Sequence, residues 1–263
     1  MHTIRYIPIL LLTLLTSCGA ESVLRKAEQS YALGEYHDAG ALYKKAYTKT
    51  NPKDKLERAE LAFMVGECYR RINLDTKALA SYLNAARYSY PDSIVYKHLA
   101  DLQLQKGEYK NAITNYTTYL TYCPTDTSAI NGLKACTTAP QWKKSPTRFI
   151  VKKDALFNSR RSEYSPMFGS DKYDQIFFTS TRDKALGEDK SLITGVKAPD
   201  IFVAIKDEKG KWQKPEAIEG ELNSEYEEGA CAFTPDYKTM YLTRCTMDGE
   251  APRPAQIYKS SRS

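Results

Sequence analysis

Hydrophobic and polar positions follow two different periods along the chain. From about residue 21 to 140, apolar residues recur at the 3.6-residue spacing of amphipathic helices; beyond Pro146 they alternate within short β-rich runs. A third pattern lies ahead of both. Residues 1–18 hold one cation at Arg5, an apolar run from Ile7 to Leu15 and then small residues. A run that short cannot cross a hydrocarbon core of about 30 Å, which takes roughly 20 apolar residues in a helix, so it reads as a secretory signal.

The run ends in Leu15-Thr16-Ser17-Cys18, a leucine and two small residues ahead of a cysteine. This resembles a bacterial lipobox. The resemblance implies cleavage between Ser17 and Cys18, with Cys18 left as an acylated N-terminus and each buried CH2 contributing about 0.8 kcal/mol to anchoring. The plainer alternative is an ordinary signal peptide with an incidental cysteine. Gly19-Ala20-Glu21-Ser22 follows, without the Asp that would suggest retention in the inner membrane and without an acidic cluster. The expected location is the periplasmic face of the outer membrane.

Within the helical stretch, three segments align: Leu33 to Pro52, Ile72 to Pro91 and Lys106 to Pro124. Gly34, Asn73 and Gly107 share one position, Ala39, Ala78 and Ala112 a second, and Tyr43, Tyr82 and Tyr116 a third, at spacings of 39 and 34 residues. Gly or Asn lets a first helix stop in a left-handed turn. The small Ala lets two helices approach, the Tyr fills the space between pairs, and Pro ends the second helix. The pattern resembles tetratricopeptide repeats, whose period is about 34 residues. Ala62, Val65, Gly66 and Tyr69, then Tyr96, Leu99 and Ala100, stand at the family's inter-helix positions, and Val23 replaces the usual large residue in the terminal repeat. A seventh helix, about 127 to 138, would cover the last pair.

The family presents a groove lined by first helices. The resemblance implies a peptide or helix ligand there and assigns the lining to Phe63, Met64, Glu67, Arg70 and Arg71 and to Lys97, His98, Asp101, Leu104 and Gln105. These residues do not reproduce the family's clamp for C-terminal carboxylates. The same charged side chains could instead be solvated helix faces.

Pro140 to Pro146 breaks the helical pattern, and two later segments echo each other. Glu163 to Phe168 followed by Tyr173 to Arg182 matches Glu228 to Phe233 followed by Tyr237 to Cys245, and third strands follow at Asp200 to Ala204 and Gln256 to Lys259. Trp212 and Pro215 lead toward the second set. These residues resemble the blades of TolB-type β-propellers, although both hairpin turns, Ser170-Asp171-Lys172 and Pro235-Asp236-Tyr237-Lys238, lack the family's glycine. The expected fold is α+β and multidomain: a signal peptide at 1–17, a tetratricopeptide solenoid at 18–140, a linker and first propeller strand at 141–162, and an incomplete propeller at 163–263. Propellers close with four to eight blades, so the sequence is expected to be part of a longer protein.

Composition adds little chemistry. Lys and Arg number 38 against 32 Asp and Glu, a net +6 too weak to argue for nucleic acid. Twenty Tyr suit helices that need an apolar body with a wet tip. His2 leaves with the signal, His37 falls in a turn and His98 on a helix, and no Gly-x-Ser-x-Gly, His-Glu-x-x-His or P-loop spacing occurs. The expectation is a non-enzyme without catalytic residues, metal ligands or cofactors. Cys68 reads as core. Cys123 with Cys136, and Cys231 with Cys245, are the pairs an oxidising compartment would leave open to bridging, although the hairpin register sets Cys231 nearer Leu242 than Cys245.

Lipidated N-terminus, tetratricopeptide array and TolB-type blades, in that order, resemble the envelope lipoproteins of the Bacteroidetes type, including type IX secretion system components. The resemblance implies a periplasmic scaffold for envelope or secretion proteins. Peptidoglycan binding would belong to an OmpA-like domain that these residues do not contain. The alternatives are a peptide- or glycan-binding lipoprotein and a TolB-like envelope-integrity scaffold.

Overall fold

The computed structural model describes residues 9–186, 190–191, 193–248, 251–252 and 254–262, with side chains from residue 21 onward and excepting those of 247, 248, 251 and 252. The first eight signal residues and the side chains of Ser17 and Cys18 therefore lie outside the described residues. Seven helices come first: α1 (Ile9–Ala32), α2 (Tyr36–Lys49), α3 (Lys55–Arg71), α4 (Asp75–Arg87), α5 (Ile94–Gln105), α6 (Tyr109–Tyr122) and α7 (Thr127–Lys144). Among the described residues no helix is long and apolar enough to cross a membrane. The chain divides into two compact units near Phe149.

Each helix packs on the next in sequence, and α5 also touches α7. The first helix of each pair ends as the repeat pattern predicts. Gly34, Asn73 and Gly107 have φ of +81°, +56° and +75°. In each case the following residue's N–H reaches back across the turn, as Leu74 does to the Tyr69 carbonyl at 2.9 Å, which satisfies carbonyls the helix end would strand. Ala39, Ala78 and Ala112 are fully buried where paired helices meet, and Tyr43, Tyr82 and Tyr116 are buried beside them. The Tyr82 ring occupies the space over Gly66 of α3, where a Cβ would come within 2.7 Å of it; Tyr116 does the same over Gly132 of α7. Cys68 is core, as expected. This half is an array of helical hairpins that follows the predicted repeat.

Helix α7 runs six residues past its expected end. Pro140 lies inside it. A proline removes one backbone donor, but with one turn left and Lys143 and Lys144 beside the negative helix end the helix continues. The stretch 141–162 contains no strand, so the expected first propeller strand is absent from it.

The second unit holds two antiparallel sheets. The first has the order β1 (Glu163–Phe168), β2 (Gln175–Ser180), β3 (Asp200–Ile205), β4 (Glu216–Ala217); the second pairs β5 (Glu227–Phe233), β6 (Thr239–Cys245) and β9 (Gln256–Ser261), with β7 (Met247–Asp248) and β8 (Ala251–Pro252) forming a small hairpin. The three strands anticipated in each echoing segment are all present. Both sheets are open, and a closed propeller is not formed among the described residues. Tyr173 and Tyr237, in the turns that lack glycine, take φ of +55° and +56°, a conformation that costs a tyrosine energy. Cys231 stands opposite Leu242, as the register predicts. Its Sγ lies 3.6 Å from the sulfur of Met167, and Cys123, Cys136, Cys231 and Cys245 are all free thiols, so neither of the pairings left open by the sequence is formed.

The sheets pack face to face through Phe177 and Ile201 on one side and Cys231, Met240 and Leu242 on the other. Two carboxylates are buried there, Asp200 and Glu228, both 0% exposed. Asp200 Oδ2 accepts from the Leu186 N–H at 2.5 Å, whereas among the described residues Oδ1 has no donor. Burial first, and the nearby Glu228 charge, push the Asp200 carboxyl up to about 6. Unfolded Asp titrates near 4, so between about pH 4 and 6 the folded state holds the extra proton. Stability accordingly falls as pH rises through that window and stays lower above it. Asp200→Asn removes the charge and supplies a donor. It is expected to stabilise the sheets at pH 7 by about 1–3 kcal/mol and to flatten the pH dependence of urea midpoints between 4 and 6; an unchanged slope would refute the assignment.

Candidate protein-binding face

The ten residues predicted to line a groove come from α3 and α5, and the structure sorts them into three states. Phe63 and Glu67 are buried, and Met64 and Leu104 are half-buried against the core clusters. Arg70, Lys97, His98 and Asp101 are half-buried and partnered. Arg71 and Gln105 are exposed.

Glu67 organises the first group. Its spacing from Arg70 and Arg71 places all three on one turn of α3, and Arg70 donates to it from Nε at 3.1 Å and Nη2 at 2.7 Å. The Tyr82 hydroxyl from α4 donates to Oε1, and His98 Nε2 from α5 lies 3.2 Å from the same oxygen. One carboxylate thus joins three helices. Burial alone would raise its pKa, but the bonds from Arg70 and Tyr82 outweigh that and hold the carboxyl below its usual range. Burial pushes the His98 imidazole down against the pull of Glu67. Phe63 closes the group, stacked on Tyr90 with centroids 4.2 Å apart.

Lys97 and Asp101 are likewise structural partners. Lys97 Nζ lies 2.8 Å from Asp126 Oδ2, and Asp126 also takes the Tyr119 hydroxyl and caps α7 through the N–H groups of Ser128 and Ala129. The Lys97 ammonium comes first among the groups that hold the Asp126 carboxyl far below its ordinary value. Asp101 accepts the Tyr116 hydroxyl.

The parts of the set open to a partner are Gln105 at the end of α5 and the C-terminal end of α3, where the partnered cations lie. Arg71 lies over the rings of Tyr31 and Tyr36, 5.5 and 5.1 Å from their centroids, and its Nε donates to the Tyr31 hydroxyl at 3.1 Å. Arg70 is 36% exposed beside it. Two guanidinium groups held by aromatic and carboxylate partners form a preorganised basic and aromatic edge. Such an edge can take peptide carboxylates or carbonyls with little further ordering. Sequence reasoning passed over Tyr31 and Tyr36; their signal was an aromatic at each side of the Gly34 turn.

In the second unit, sequence reasoning missed a motif written twice. Asn158-Ser159 precedes Glu163 by the same interval as Asn223-Ser224 precedes Glu228. Ser159 Oγ donates to Glu163 at 2.6 Å, and Ser224 Oγ to Glu228 at 2.6 Å. Arg182 pairs with Glu163 at 3.3 Å and reaches the Phe157 carbonyl; Arg244 pairs with Glu228 at 2.6 Å and reaches the Leu222 carbonyl. His37 is half-exposed beside Asp38. Among the described residues no group of three His, Cys, Asp or Glu side chains is placed to hold a metal ion.

No protein-family model matches the chain, and no curated protein matches it. Similar solved structures include the first TPR of Spaghetti (RPAP3) bound to an HSP90 peptide, at 18% identity and TM-score 0.40, covering 46% of this chain and 93% of that one. They also include the Sgt2 TPR domain from Aspergillus fumigatus, at 16% identity and TM-score 0.39, covering 52% and 91%, and PcrH from Pseudomonas aeruginosa, at 18% and 0.37, covering 52% and 99%. Scores this low carry the comparison no further.

Proposed function

We propose that the chain is a non-catalytic scaffold that gathers protein partners, held by an acylated Cys18 at the periplasmic face of the outer membrane. The observation that carries the reading is the locked helical array: buried Tyr43, Tyr82 and Tyr116 fix the hairpins, and Arg70 and Arg71 are presented at an edge braced by Tyr31 and Tyr36. A prearranged surface loses little entropy on binding, and tethering raises the effective concentration of partners, so weak contacts suffice. The domain order suggests a PorE-like role in type IX secretion, with two sheets of propeller-blade type as a second contact surface.

The test is fractionation and cross-linked pull-down from envelopes. Cys18→Ser is expected to move the protein from the membrane to the soluble fraction and to lose its envelope neighbours. Arg71→Glu should remain membrane-bound and lose the partners that dock at the α3 edge. Unchanged fractionation of the first, with an unchanged set of neighbours for both, would sink the reading.

A further inference from the structure

The formal charge of the chain is not spread along it. Of 38 Lys and Arg and 32 Asp and Glu, seven cations and one acid lie in 141–162, between the last helix and the first strand, and the remaining 31 of each sign cancel. The whole net charge of +6 therefore sits on 22 residues.

The structure divides these cations into two groups. Arg160 and Arg161 each lie 2.9 Å from Asp183 and are held by it. Lys143, Lys144, Arg148, Lys152 and Lys153 are all exposed, and among the described residues none of the five makes an ion pair. Asp154, the one acid in the stretch, is engaged by its own backbone: its Oδ1 accepts from the Leu156 N–H at 2.9 Å. Just ahead of the first two cations, on the last turn of α7, Trp142 is 69% exposed.

Charge presented in this way suits a diffuse target. Residues 145–154 form neither helix nor strand, so the cations share no frame that would fit them to a single carboxylate pocket. An anionic lipid surface requires no such frame, because it attracts each Lys or Arg near it by a similar amount. An indole beside lysines also suits the headgroup level, where its apolar body is buried and its polar tip stays wet.

We infer that residues 142–153 form a contact for an anionic lipid surface, with Lys143, Lys144, Arg148, Lys152 and Lys153 at the headgroups and Trp142 set among them. The contact depends neither on an acyl chain at Cys18 nor on the α3 edge. Salt screens it, so a salt wash of envelopes still releases Cys18→Ser.

The experiment is flotation of residues 18–263 carrying Cys18→Ser, so that neither the apolar leader nor an acyl chain contributes. The probes are vesicles of equal parts phosphatidylglycerol and phosphatidylcholine, against phosphatidylcholine alone. The protein is expected to float with the anionic vesicles at low salt and to be released at high salt. Replacing Lys143 and Lys144 together by Gln should weaken partition about 30-fold, about fivefold for each charge brought near the surface. Lys209→Gln with Lys211→Gln removes the same charge from an exposed turn and should change partition less than about twofold, since charges beyond a Debye length are screened. In a Trp212→Phe background Trp142 is the one indole left, and its emission should shift to the blue on the anionic vesicles. Unchanged ellipticity checks the fold of each variant. Failure to float, equal flotation on phosphatidylcholine, equal losses in the two lysine pairs or an unshifted Trp142 emission would each overturn the proposal. The first of these would hand the stretch to an acidic protein instead, and none of them would alter the fractionation expected of an acylated Cys18.

Discussion

Tyr82→Ala is expected to lower the stability of the helical array by about 3–5 kcal/mol, the range for truncating a buried aromatic side chain to alanine. Tyr82 is fully buried, and its ring fills the space above Gly66 that no side chain on α3 can enter. Removing it opens a cavity bordered by Phe63 and His98, whose rings lie 5.5 and 5.3 Å away. It also takes a hydroxyl donor from Glu67, a 7%-exposed carboxylate that is then left with Arg70, His98 and the more distant Arg71. Tyr82→Phe separates the two effects. It keeps the ring and loses only the hydrogen bond, so it should cost about 1–3 kcal/mol, as expected when a buried charged acceptor loses one donor. Urea unfolding followed at the helical ellipticity band gives both numbers. The packing account fails if Tyr82→Ala lies within about 1 kcal/mol of wild type or costs no more than Tyr82→Phe, and the network account fails if Tyr82→Phe is as stable as wild type.

Which parts of this molecule could be read from its sequence follows from what each part needs. The helix pairs were legible because they depend on local requirements. A left-handed stop admits Gly34, Asn73 or Gly107, and a close helix crossing admits Ala39, Ala78 or Ala112. The state of the predicted lining was not legible in the same way. Spacing places Glu67, Arg70 and Arg71 on one face of α3, but whether that face is open depends on Tyr82 and His98 arriving from two other helices. The strands of both sheets could be read from the echo between Glu163 to Arg182 and Glu228 to Cys245. The serine–carboxylate–arginine motif that both sheets share went unread because Asn158-Ser159 and Asn223-Ser224 sit ahead of the aromatic landmarks, in segments that look like loop. Pro140 misled for a physical reason: a proline one turn from a helix end costs one hydrogen bond, which the chain tolerates.

Glu228→Ala should cost the second unit about 3–5 kcal/mol, because removing one member of a buried ion pair leaves the other without compensation. Glu228 is 0% exposed, accepts from Ser224 Oγ, the Ser224 N–H and Arg244 Nε, and has no route to water that would replace them. Among the described residues, Arg244, 16% exposed, would keep the Glu221 and Leu222 carbonyls and the Tyr258 ring. One effect opposes this loss: the Glu228 charge helps hold the Asp200 carboxyl up, so its removal eases Asp200. The two changes therefore should not add. In an Asp200→Asn background that relief is already present, and Glu228→Ala should cost more than it does in wild type, by an interaction energy of about 0.5–3 kcal/mol. The twin pair supplies the comparison. Glu163 has the same serine and arginine partners, and its side chain is 9% exposed, so Glu163→Ala should be destabilising through the same loss but show no such coupling to Asp200. Hydrogen exchange read separately at β2 and β6 distinguishes these outcomes. Equal costs for Glu228→Ala in both backgrounds would mean that the buried carboxylates of the sheet interface do not sense each other.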